Sequence, residues 1–186
     1  MKSQKSKIDE FYPTACFELL SAPTAAYFVS VLQLFGSLVY FLTYYSLEAY
    51  GYILTGSSLR YSVVATATSY TLGAICAIYG VFKEDKKYVQ YHTWVMQALM
   101  LITDIVAVAI ILIMAIGNRL EFTYTLPRHF VNEHKFYAIL GPFWMYLGAI
   151  SLHITVAINM CYLKVFNTYL EYLTDKERNN VREERK

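Results

Sequence analysis

Residues 91–116 read YHTWVMQALMLITDIVAVAIILIMAI, and Asp104 is the one formally charged side chain among them. A helix crosses a bilayer core with about 20 mostly apolar residues, so this stretch predicts a transmembrane helix. Three more stretches match it. No Asp, Glu, Lys or Arg occurs between Glu18 and Glu48, between Arg60 and Lys83, or between Lys135 and Lys164. The spans are placed at 25–45, 61–82, 91–116 and 136–163. Helix is the only spanning form that four such segments support, because a closed barrel needs more strands. The predicted fold is an all-α membrane protein, a four-helix transmembrane bundle.

Composition agrees. The 186 residues are 56% hydrophobic and 16% charged, against about 25% charged in soluble domains. That balance excludes a soluble enzyme, and a formal net charge of +2 is too small to imply nucleic acid. The first apolar run exceeds the roughly 7–15 residues of a signal-peptide core and is read as a retained span.

Basic residues orient the chain. Lys2, Lys5, Lys7, Lys83, Lys86, Lys87, Lys164, Lys176, Arg178, Arg182, Arg185 and Lys186 fall on one side, and Arg60, Arg119, Arg128 and Lys135 on the other. The positive-inside rule puts both termini in the cytosol. Residues 1–24 then form a cytosolic segment, 25–166 the bundle and 167–186 a charged tail. Tyr169, Leu170, Tyr172 and Leu173 suit an extension of the fourth helix. The outer loops, about 15 and 19 residues, contain no cysteine, so no disulfide is expected. Cys16 and Cys161 lie near the cytosolic boundary and are candidates for palmitoylation, or simply thiols in an apolar setting.

Asp104 and His153 are the ionisable groups placed deepest in the hydrocarbon. Asp104 lies near the middle of its span and His153 about one turn to the cytosolic side of the middle of its own, so the two can meet if those helices are neighbours. A charged Asp at mid-bilayer costs roughly 2.5–3.5 kcal/mol on insertion scales, which demands a partner, a proton or an interior position. Gln97 lies two turns from Asp104 on the same face. The three define either an inter-helix contact that fixes packing, a pocket for a lipid headgroup or small solute, or a proton relay. In the second span Ala65, Ser69, Gly73 and Ala77 recur every four residues. Such a flat stripe admits a close helix, from within the bundle or from an external partner. His129, Glu133 and His134 lack a metal-ligand spacing, and Gly141 with Pro142 predicts a kinked start to the fourth span. There is no phosphate loop, nucleophile elbow or zinc-protease motif, so neither enzymatic activity nor a cofactor is expected.

The segment Asp9-Glu10-Phe11-Tyr12-Pro13-Thr14-Ala15-Cys16 resembles the Asp-x-Phe-Tyr-x-Thr-x-Cys pattern of the lysosome-associated four-span proteins, the LAPTM family. Ile78-Tyr79-Gly80-Val81 is similar to that family's Val-Tyr-Gly-Ala at the end of the second span, and Asp104 is similar in position to its buried third-span Asp. The aromatic exit of the fourth span, Cys161 to Leu173, is similar as well. The resemblance implies an endomembrane protein of late endosomes, lysosomes or Golgi, engaged in lipid handling, small-molecule movement or sorting of partner proteins. The sequence departs from the family in having no proline after Pro142, where the family carries Pro-Pro-x-Tyr, and in its cysteine-free outer loops. Those departures shift the weight from the tail to the bundle.

Three functions follow as expectations. The first is a non-enzymatic accessory protein whose bundle binds membrane lipids, a larger membrane protein or further copies of itself. The second is a small carrier, proton-coupled through Asp104 and His153, although no inverted repeat relates the two halves. The third is a surface scaffold at the plasma membrane, which the absence of cysteine-bearing outer loops disfavours.

Overall fold

A computed structural model describes residues 20–54, 58–116 and 130–184. It contains five α-helices: α1 (Ala22–Ala49), α2 (Ser58–Lys83), α3 (Lys86–Ile116), α4 (Glu133–Leu140) and α5 (Trp144–Glu184), with a 3-10 turn over Gly141–Phe143 between the last two. Four helical stretches are long and apolar enough to cross a membrane: Ala22–Ala49, Leu59–Lys83, Lys86–Leu112 and Glu133–Val181. Among the described residues there is no strand, only an isolated bridge between Ile53 and Val131. The described residues are those of a multi-pass membrane protein and are nearly all helical.

The fourth span is broken near its start, where Gly141 and Pro142 predict a kink, and it is longer than the segment 136–163. It begins with α4, capped by the Asn132 side chain on the Lys135 amide. It then breaks where Gly141 adopts φ 69° and Pro142 removes a backbone donor. Nor does it stop at Lys164. Val165, Phe166, Tyr169, Tyr172 and Leu173 continue a buried face at helical spacing, so α5 runs 41 residues, about 60 Å. Part of the segment assigned to the tail, 167–186, is therefore helical and contributes to the core.

The turn between α2 and α3 is short because three residues are suited to it. Glu84 takes φ 55°, the Asp85 amide donates to the Gly80 carbonyl at 2.9 Å, and the Asp85 carboxylate caps the Lys87 amide at 2.9 Å. Gly80 permits the close return. A Cβ there would lie 2.9 Å from Val89 Cγ2 and 3.1 Å from the Val89 backbone nitrogen.

The chain divides into two compact units. Unit 1 comprises residues 1–35, 70–97 and 158–186. Its core packs Ala22, Ala25, Ala26 and Val29 of α1, Ala77 of α2, Val89 and Met96 of α3, and Val165, Phe166, Tyr169, Tyr172 and Leu173 of α5. To this core α1 contributes small side chains and α5 aromatic ones, which fill the space between helices. Lys176 pairs with Glu84 at 2.6 Å, and Lys86 donates to Thr174 at 2.8 Å.

Unit 2 comprises residues 36–69 and 98–157, with a smaller buried cluster of Tyr44, Ile53 and Val63. Its loop segments pair through Leu54 N–H to Phe130 O at 3.0 Å and Asn132 N–H to Tyr52 O at 2.7 Å. Aromatic rings gather beside them, with Tyr52 edge-on to Phe136 and Phe136 stacked on Trp144. Lys135 donates to the Tyr50 carbonyl and lies over the Tyr52 ring. A belt of this kind suits a membrane interface.

Candidate functional site

Two polar centres lie within the spans, one in each unit. In unit 2, α3 presents Asp104 and α5 presents His153, with His153 Nε2 3.6 Å from Asp104 Oδ1. His153 Nδ1 lies 3.0 Å from the Ala149 carbonyl one turn back. That carbonyl can only accept, so Nδ1 carries a proton. The other ring nitrogen, Nε2, is the one turned to the Asp104 carboxyl. At 3.6 Å the contact is longer than a direct hydrogen bond.

The pair is central in depth. His153 is about 14 Å along the helix from Trp144 and about 16 Å before Lys164, at roughly 1.5 Å per residue. It is also open. The side chains of His153 and Asp104 are 42% and 48% exposed. Asp104 borders an exposed apolar stripe of Leu101, Ile105, Val108 and Leu112, and His153 borders Leu147, Ile150 and Ile154. The most apolar window of the third span is 11% buried and that of the fourth 17%, against 33% in each of the first two.

In unit 1 one polar contact is sealed. His92 and Gln33 are 0% and 1% exposed, with His92 Nε2 2.9 Å from Gln33 Oε1. The Gln33 amide donates to Met96 Sδ at 3.2 Å, which leaves Oε1 as acceptor and places the imidazole proton on Nε2. Tyr70 donates to Asn159 Oδ1 at 2.6 Å and also hydrogen-bonds the Gln33 side chain. Gln33, Tyr70, His92 and Asn159 thus contribute one polar residue from each of α1, α2, α3 and α5. His92 stands edge-on to Phe166, ring centroids 4.7 Å apart. Its Nδ1 is buried with no hydrogen-bond partner and faces the bare backbone of Gly73, where a Cβ would come within 2.8 Å.

The sequence-predicted residues divide between these places. Asp104 and His153 are brought together; Gln97 is exposed and belongs to unit 1. The stripe in the second span splits as well. Gly73 and Ala77 are buried, Gly73 against His92 and Ala77 in the unit 1 core, whereas Ala65 and Ser69 are exposed. Cys161 presents an exposed thiol. Cys16, the octet 9–16 and His129 lie outside the described residues. Glu133 and His134 form the first turn of α4.

Sequence reasoning missed the His92 network. His92 follows Tyr91 at the edge of the predicted span and reads as an interfacial residue. The signal was spacing: Val89, His92, Thr93 and Met96 repeat at three and four residues, and so do Ala22, Ala26, Val29, Gln33 and Ser37, all buried. No family model, curated protein or solved structure matches the chain.

Proposed function

We propose that this chain is a non-enzymatic accessory protein of endomembranes, with both termini cytosolic, whose bundle engages a membrane-embedded partner and supports that partner's sorting or activity. The observation that carries the reading is the half-exposed contact between Asp104 and His153 at mid-span. Polar groups at that depth ordinarily face protein or water, because hydrocarbon offers them no hydrogen bonds. A site left half open therefore suits completion by another protein or by a lipid bearing polar groups. The sealed network around His92 already fixes helix packing, so the open pair is not needed for that. The resemblance to the lysosome-associated four-span proteins supports a late endosomal, lysosomal or Golgi residence.

A second reading, a proton-coupled carrier of small molecules or lipids, draws on the acid–base contact itself. Capture of the tagged chain in lipid nanodiscs, with mass spectrometry of proteins and lipids, separates the two. The accessory reading predicts a membrane protein in fixed ratio to the chain, lost on Asp104→Leu. A chain that holds no protein and, in vesicles, drives a pH-dependent flux abolished by Asp104→Asn would replace it with the carrier.

A further inference from the structure

The Asp104–His153 contact is a pair of unlike groups at one depth, and that property selects a partner. Rotation by half a turn about the membrane normal leaves depth unchanged. Two copies related by such an axis, meeting at the open side of this pair, place the acid of each beside the base of the other. A two-fold interface is self-complementary in this sense: residue i meets j, and j meets i. Each copy brings one acid and one base, so two of them form an alternating ring of two acids and two bases. A single-sign group would repel its own copy across such an axis.

The surrounding surface suits the same arrangement. The exposed stripes beside the pair, Leu101 and Ile105 on α3 and Ile150 and Ile154 on α5, are apolar. They can pack on their own copies without burying further polar atoms. We infer that a second copy of this chain covers the Asp104–His153 contact, forming a two-fold dimer with its axis along the membrane normal. The inference rests on reading that contact as a protein-binding site, and it names the occupant.

The test uses the full chain with a fluorescent tag, reconstituted in vesicles at low protein-to-lipid ratio, and counts photobleaching steps. Wild type is expected to bleach in two steps. Asp104→His alone or His153→Asp alone puts like groups against like, and either should lower the two-copy fraction about ten-fold, the scale of an interhelical polar contact. Mixed in two colours, the two variants should colocalise as strongly as wild type, because each supplies what the other lacks. That rescue also shows that both variants fold. Single-step bleaching of wild type, unchanged pairing in the single variants, or no two-colour rescue would each overturn the dimer. If wild type bleaches in one step yet retains another membrane protein that Asp104→Leu releases, the dimer fails and the accessory reading stands. If it retains none and carries a pH-driven flux, both fail.

Discussion

In unit 1, residues from all four spans share one core, with alanines of α1 and Phe166, Tyr169 and Tyr172 of α5 among them, and His92 and Gln33 are sealed. In unit 2 the same helices carry leucine and isoleucine on open faces, and the polar pair they share is half uncovered. Both units keep a histidine within the span, but they treat it differently. His92 has a neutral amide for a partner and no access to the outside, whereas His153 faces an acid on an open face. The contrast separates a polar contact buried inside the bundle from one left half exposed.

The sharpest way to break the contrast is to remove an aromatic ring from unit 1. Phe166→Ala should destabilise the folded chain by about 3–5 kcal/mol, measured by thermal or denaturant unfolding in nanodiscs. Ile150→Ala, on an open face of unit 2, should cost far less. Comparable losses would mean that the two units are packed alike.

Glycines give a finer comparison. Gly80→Ala should cost about 1–3 kcal/mol, since its Cβ would meet the Val89 backbone as well as side chains. Gly73→Ala should cost a similar amount through His92, and the loss should shrink when His92 is also alanine. That coupling is read in a double-mutant cycle. Gly148 has nothing within 4 Å of its would-be Cβ, so Gly148→Ala should leave stability unchanged or raise it by up to about 1 kcal/mol through helix propensity.

The smallest effect belongs to the ion pair of Lys176 and Glu84. Despite its 2.6 Å separation it is partly exposed, and Lys176→Ala should change stability by no more than about 1 kcal/mol. The change should diminish further with added salt.

The fold was legible because the bilayer writes it in plain terms: four charge-poor stretches and basic flanks. The meeting of Asp104 and His153 was legible as a condition, since their depths in antiparallel spans differ by about one turn; that those helices are neighbours there comes from the structure. The extent of α5 was harder to read. Lys164 ends the apolar run, yet burial on one face of a helix continues through Phe166 and Tyr169 with polar residues between them. Least legible was the His92 network, because Gln33 and His92 are 59 residues apart. Only helix packing shows that the buried faces of their helices meet. The stripe from Ala65 to Ala77 shows the same limit, since spacing alone cannot reveal that its two ends have different surroundings.

The account turns on two polar centres with different jobs, and one preparation can test both. Gln33→Leu and Asp104→Leu should be reconstituted side by side in nanodiscs, with unfolding temperature and co-purifying membrane protein measured for each. Gln33→Leu leaves His92 and Tyr70 short of a partner. It should lower stability by about 1–3 kcal/mol while the surviving folded chain keeps its partner protein, a second copy included. Asp104→Leu should unfold close to the wild-type temperature and lose that partner. The account is contradicted if Asp104→Leu unfolds the bundle as readily as Gln33→Leu does, or if it leaves the captured protein unchanged.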